Sequence, residues 1–356
     1  MRHQYIDRET GEVRSEKLYH DRMVRMLYSR DRERPTVMCR ALASRRMTRL
    51  LGFLNYQFQV GSYLTGSRRF GRELGVDTSE CVETVQKLNT ARKWFQRQIR
   101  YWETRPLPVE DNAVVSPADA RTLVGSFANG SPIQIKEKFF SLRELLGDRT
   151  PDWYRYFENG DFAIFRLTPD KYHYNHTPVS GIIRDIYAVD GTYHSCNPSA
   201  VVSIVTPYSK NKRVVTIIDT DVPEGSRVGL VAMIEVVALM IGGIKQCYST
   251  ERYNQPQDVT KGLFVRRGQP KSLYEPGSST DVLLFERDRV QFATDLVRNM
   301  SRPLESRFSH GFGQPLVETD VRVRSLIATS RRHTISDYEI DTVSSLSTQP
   351  LNIRMR

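Results

Sequence analysis

Cysteine is scarce and scattered: Cys39, Cys81, Cys196 and Cys247 are the only four in 356 residues, and no two form a C-x-x-C pair. Neither a disulfide framework nor a cysteine zinc site is therefore indicated, and a reducing compartment is expected. The chain lacks an internal repeat. Met1 to Glu16 is polar and mixed in charge, without the apolar core of a secretory signal, so export is not expected. A long apolar run is missing too. The nearest approach, Val228 to Ile244, falls short of the roughly 20 residues that cross a bilayer, carries Glu235 near its middle and ends in Gly242-Gly243. A buried pair of strands is the expectation for this segment, with a buried helix or a membrane span as the weaker readings.

What the chain has in excess is positive charge. Lys and Arg number 52 against 41 Asp and Glu, a formal net charge of +11. Such a surface is drawn to nucleic acid, an anionic membrane or an acidic substrate, and charge alone does not choose among them. With 39% hydrophobic and 26% charged residues the chain reads as globular.

The pattern divides the chain into three parts. Residues 1–105 read as a helical, basic region. In it Tyr19, Met23, Met26 and Leu27 form one apolar stripe, and Met47, Leu50, Leu51, Leu54 and Phe58 form a better one. Arg45, Arg46 and Arg49 project to other sides of the second helix, which suits either a membrane interface or ordinary packing on its own domain. After Arg105-Pro106-Leu107-Pro108 the pattern changes to short β-rich runs, such as Phe162 to Leu167, Val214 to Ile218 and Val282 to Phe285. Residues 106–328 are expected to form a mostly antiparallel β core. The Ser-, Thr- and Arg-rich residues 329–356 read as a flexible tail. The fold class expected is α+β.

Ionisable residues accompany turn formers in three clusters: Ser116-Pro117-Ala118-Asp119, then Tyr172-His173-Tyr174-Asn175-His176-Thr177-Pro178, and Gly277-Ser278-Ser279-Thr280 leading into Asp281 to Phe285. An Asp, two His and two Ser allow a nucleophile with a base and an orienting carboxylate. On spacing alone each is as readily a turn stabiliser or a locally satisfied side chain. A metal site at His173 and His176 is disfavoured, because Pro169 and Pro178 oppose a helix there and no cysteine or E-x-x-H pattern completes a ligand set.

At these clusters the sequence resembles the phosphatidylserine decarboxylases, in the same order from about Tyr5 to Leu326. Tyr5 to Gly11 (YIDRETG) resembles the family's opening segment and Ser116 to Asp119 its aspartate motif. Ile135 to Leu146 (IKEKFFSLRELL) is similar to K-G-x-x-Y-S-L-x-x-L-L, and Tyr193 to Pro198 (YHSCNP) to Y-x-S-V-N-P. The Y-H-x-x-H-x-P-x-x-G run from Tyr172 to Gly181 is the most specific element, and Gly268 to Phe285 resembles the processing region.

The resemblance implies a proenzyme that cuts itself between Ser278 and Ser279. Ser279 attacks the carbonyl of Ser278 and becomes a covalent pyruvoyl cofactor, while chains 1–278 and 279–356 stay together as a heterodimer that could dimerise further. It implies His176 as general base, Asp119 as its orienting partner, His173 as the group that positions the substrate carboxylate or delivers a proton, and Thr280 or nearby backbone N–H groups as oxyanion donors. The substrate implied is phosphatidylserine, decarboxylated to phosphatidylethanolamine by a peripheral membrane protein on the cytoplasmic face, with no nucleic-acid partner and no metal.

The sequence departs from the family's pattern in places. Ser278 stands where Gly is usual, and an alternative register makes Ser278 itself the reactive residue after Gly277. Ala120 replaces a common Gly, Glu275 and Pro276 replace the aromatic or small residues before the processing site, and Glu235 and Leu239 fall where V-G-A is usual. Two other functions stay open: a pyruvoyl decarboxylase of a free amino acid, and an unprocessed membrane-binding homologue without activity.

Overall fold

The computed structural model describes residues 2–18, 75–128, 138–148, 151–238, 243–277 and 279–331. Both apolar stripes expected to be helical, and the tail from 332 onward, lie outside the described residues, as does Ser278. In chain order the strands are β1 (Gln4–Asp7), β2 (Val13–Ser15), β3 (Ala113–Val115), β4 (Ala120–Ser126), β5 (Asp161–Leu167), β6 (Tyr174–His176), β7 (Gly181–Val189) and β8 (Arg213–Asp219). They continue as β9 (Leu230–Val237), β10 (Ile244–Gln246), β11 (Phe264–Val265), β12 (Pro270–Tyr274), β13 (Ser279–Phe285), β14 (Val290–Phe292), β15 (Glu318–Val321) and β16 (Leu326–Ser330).

One ten-stranded sheet, in the order β11-β7-β8-β9-β13-β5-β4-β15-β1-β2, dominates the molecule. Its pairs are antiparallel except for β1 with β15, which makes the sheet mixed. Two small sheets, β10-β12-β6 and β14-β16-β3, complete it. The apolar run that begins at Val228 supplies β9 and, past the undescribed residues 239–242, β10. Among the described residues no helix is long and apolar enough to cross a membrane.

Two parts of the chain differ from expectation. Residues 4–15, assigned on pattern to the helical region, form a hairpin that extends the main sheet. The hairpin turn is closed by Asp7, whose carboxylate accepts from the amides of Glu9 and Thr10, and by Gly11, which adopts the left-handed φ of +72°. At the other end, β16 continues through Ser330, two residues beyond the core boundary read from the sequence.

The hairpin is bound to the sheet by charge. Arg166 on β5 donates to both carboxylate oxygens of Glu16 (2.9 and 2.5 Å) and of Glu318 (3.0 and 2.6 Å), while His3 contacts Glu318 at 2.7 Å. His3, Glu16 and Glu318 come close enough together to be weighed as metal ligands, but the guanidinium of Arg166 already occupies the space between them.

The middle of the sheet is β13, all seven residues of which are buried. Val282, Leu283, Leu284 and Phe285 account for its central place, since each gains roughly 1.5–3 kcal/mol on leaving water. Its first three residues, Ser279, Thr280 and Asp281, are polar and just as buried, at 1% exposure or less. Three consecutive buried polar residues on a central strand need partners or a function.

Candidate active site

Strand alternation decides what each of these three residues faces. Ser279 and Asp281 share one face of β13, and their register partners on β9, Val237 and Glu235, point the same way. That face is covered by β12 and β6. From β12, Lys271 and Ser272 reach Glu235 and Tyr274 reaches Asp281; from β6, Asn175 reaches Glu235. Thr280 faces the opposite layer, beside Cys196 and Tyr208.

Ser279 therefore stands at the head of β13, between Leu167 and Val237 in register. Its hydroxyl is buried and has no hydrogen-bond partner among the described residues. Thr280, considered from sequence as an oxyanion donor, turns away from this face, and its carbonyl accepts from Tyr274 Oη at 3.0 Å.

His176 is the last residue of β6, an extended segment that pairs with β12. His173 lies just before β6, and its carbonyl accepts from the Tyr274 amide at 3.1 Å. Its ring is fully buried and stacked on Phe95, with centroids 3.5 Å apart and planes at 26°. Neither ring nitrogen has a hydrogen-bond partner of good geometry among the described residues. Burial, then the nearby Arg97 cation, brings its pKa down to about 3, so the imidazole is neutral.

His176 is held differently. Nδ1 lies 2.9 Å from the Gly268 carbonyl, which can only accept, so Nδ1 carries the hydrogen. Nε2 then accepts from Tyr172 Oη at 3.0 Å, and Tyr172 in turn meets Tyr253 Oη at 2.7 Å. Burial lowers the His176 pKa to about 3 as well.

Asp119 makes no hydrogen bond to His176. Its two oxygens accept from Arg105 at 3.2 and 3.0 Å, and the Val323 amide adds a third bond at 2.7 Å. Burial alone would raise its pKa, but the Arg105 charge and these bonds prevail and hold it at about 2. The aspartate loop still touches the histidine through the backbone, because the Pro117 carbonyl accepts the His176 amide at 2.7 Å. Histidine and aspartate are thus brought into one neighbourhood, with the Gly268 carbonyl in the orienting position that the sequence suggested for Asp119.

The structure adds residues that sequence reasoning did not place. Glu235, without explanation as a departure from the family's pattern, forms a fully buried ion pair with Lys271 at 2.7 Å and accepts further bonds from Asn175, Ser272 and Gln246. Burial opposes its charge, yet Lys271 and these donors keep its pKa below the ordinary range. Opposite it, Asp281 is pushed well above the ordinary range by burial and then by the Glu235 charge. Two carboxyls on one face thus have their pKa values pushed in opposite directions. The readable signal was a carboxylate in each of two segments expected to be buried, since each demands a partner.

These features define a sheet protein whose central strand begins with a buried serine that has no hydroxyl partner among the described residues, with one neutral histidine in the small sheet that covers this face and another just before it. Comparison with known proteins narrows that class. The family described as phosphatidylserine decarboxylase matches residues 91–308. The chain is 27% identical over 311 residues to the phosphatidylserine decarboxylase proenzyme of Fusobacterium nucleatum, covering 86% of this chain and 95% of that protein. It is 30% identical over 310 residues to that of Chlamydia trachomatis, with the same 86% and 95% coverage. With phosphatidylserine decarboxylase proenzyme 2 of Oryza sativa it shares 32% identity over 241 residues, 66% of this chain and 35% of that longer protein. The chain belongs to the phosphatidylserine decarboxylase family.

Proposed function

We propose that this protein is a phosphatidylserine decarboxylase proenzyme that cuts its own backbone between Ser278 and Ser279 and then acts on phosphatidylserine at a membrane surface. The observation that carries the reading is the unpartnered Ser279 hydroxyl at the buried head of β13, in a chain that bears the family's motifs in order. A free hydroxyl is an available nucleophile. It is also a replaceable one: converting Ser279 to an α-keto acyl group costs its side chain no hydrogen bond among the described residues, so the surroundings of the hydroxyl suit a pyruvoyl group at this position.

Cutting begins when Ser279 Oγ bonds to the carbonyl carbon of Ser278. The hydroxyl proton leaves, the C–N bond breaks, and the Ser279 nitrogen takes a proton to become an amine. Loss of the Ser279 α-proton then breaks the Cβ–O ester bond, and addition of water with release of ammonia leaves the keto group at the head of chain 279–356. His176 Nε2 accepts the Ser279 proton. This nitrogen becomes free when Tyr172 turns its hydrogen to Tyr253, its other partner at 2.7 Å. Asp119 acts through charge, its fixed carboxylate favouring the imidazolium that forms.

The pyruvoyl group, once formed, supplies an electron sink for loss of carbon dioxide from the serine head group. His173 keeps a neutral ring whose nitrogens have no hydrogen-bond partner of good geometry among the described residues, suited to hold the substrate carboxylate or to return a proton. The net charge of +11 favours contact with anionic lipid, which accords with a peripheral position on the cytoplasmic face of a membrane.

The test is turnover. Purified protein given phosphatidylserine vesicles should form phosphatidylethanolamine and carbon dioxide, and the Ser279→Ala variant should form neither. Decarboxylation of free serine in place of the lipid would move the assignment to an amino-acid decarboxylase. Vesicle binding by an uncut chain without turnover would leave only a membrane-binding homologue.

A further inference from the structure

The backbone and side-chain contacts of Tyr274 fall on opposite sides of the bond proposed to be cut. Its backbone amide donates to the His173 carbonyl at 3.1 Å, and both residues lie in what becomes the larger chain. Its hydroxyl donates to the Thr280 carbonyl at 3.0 Å and meets Asp281 Oδ1 at 2.6 Å, and both of these residues lie in the smaller chain. Tyr274 is buried at 1% exposure and Asp281 at 0%, so water does not compete for either contact.

We propose that Tyr274 is a positioning residue which, through Thr280 and Asp281, holds the new end of the smaller chain against the loop that carries His173 once the backbone is cut. The inference rests on the self-cutting reading above. Before the cut, residue 279 is covalently tethered on both sides; afterwards the 279–280 peptide bond is its one covalent tether, at the very end of β13. The Thr280 carbonyl belongs to the next peptide unit, so a bond that fixes it restrains the group one residue away. The same tyrosine fixes the His173 backbone, which sets the two partners of the reaction relative to each other.

Hydrogen bookkeeping says how the contact is made. A phenol has one hydrogen, and two acceptors at 3.0 and 2.6 Å would need two. Both contacts are satisfied when Tyr274 donates to Thr280 and a protonated Asp281 donates to Tyr274. The surroundings favour that state. On β9 Glu235 lies directly opposite, on β12 Lys271 is already committed to Glu235, and on β5 the register partner is the apolar Phe165. A negative Asp281 would face the Glu235 carboxylate with no cation of its own.

The experiment follows cutting and turnover separately in Tyr274→Phe, Asp281→Asn and Asp281→Ala. Intact mass gives the extent of cutting, and phosphatidylethanolamine formation by the cut fraction gives kcat and KM. Tyr274→Phe, which removes one oxygen, should still be cut, yet its kcat should fall about 10-fold or more with KM little changed, as expected for a misaligned reacting group. Asp281→Asn keeps a donor to Tyr274 and should rescue the turnover that Asp281→Ala loses. It should also lack the fall in kcat that rising pH brings to the parent as Asp281 ionises. Normal turnover by cut Tyr274→Phe, or Asp281→Asn as impaired as Asp281→Ala, would overturn the positioning role while leaving self-cutting intact. A parent protein that is never cut would overturn both.

Discussion

Lysine 271 offers the sharpest handle on the buried network beneath the site. Its Nζ lies 2.7 Å from Glu235 Oε2, and both side chains are 0% exposed. Lys271→Met keeps the apolar stem and deletes the charge. Removing one partner of a buried pair typically costs ~3–5 kcal/mol, because the other is left charged and uncompensated. Glu235 retains Asn175, Ser272 and Gln246 as donors, which places the expected loss at the low end, about 3 kcal/mol. For a chain of this size that is a fall in Tm of roughly 4 °C.

The loss should depend on pH in a definite sense. In the parent, Glu235 has a pKa below the ordinary range, so its contribution is complete above the unfolded value and fades as pH falls through the folded one. In the variant, burial without the Lys271 cation pushes Glu235 up, and a raised carboxyl costs stability above its unfolded pKa. The deficit should therefore grow from pH 5 to pH 8. Urea unfolding followed by tryptophan fluorescence, in a Ser279→Ala background that stays one chain, measures it without chain separation. Adding Glu235→Leu should recover part of the loss, since an apolar pair tolerates burial better than a lone charge. A deficit under ~1 kcal/mol, or one that does not change with pH, would refute the reasoning.

Two further outcomes concern the reaction. His176→Ala should leave the chain largely uncut, whereas His173→Ala should be cut and yet turn over at least about 100-fold more slowly, a separation read by gel and by product assay. Ser278→Gly should cut faster than the parent in a refolding time course, because glycine reaches backbone conformations that serine enters only with strain; an unchanged rate would show that no such conformation is needed.

The sheet was legible because its strands carry their own signature. Phe162 to Leu167, Val214 to Ile218 and Val282 to Phe285 are short runs of β-branched and large apolar residues between turn formers, and all three are strands of the main sheet. The N-terminal hairpin was not legible, because β1 and β2 are short and are anchored from far along the chain: β1 pairs with β15, and Glu16, just past β2, meets Arg166. At the site, motif order pointed to the histidines and to Ser279, but local sequence carries no information on which acceptor a buried imidazole meets. His176 is oriented by a main-chain carbonyl, and any residue at position 268 presents one. The Glu235, Lys271 and Asp281 network was hidden for a related reason: its members come from three strands, and their pairing follows from register alone.

The central claim is that Ser279 severs the bond before it and becomes a keto acyl group. Intact mass spectrometry of the purified protein under denaturing conditions addresses it directly. The expected result is two chains, 1–278 and 279–356, the smaller lacking a free amino terminus and carrying the mass of a pyruvoyl group at position 279, with a single uncut chain for Ser279→Ala. A parent that stays whole at 41.1 kDa after prolonged incubation, or one cut with an ordinary serine amine at the new end, would contradict it.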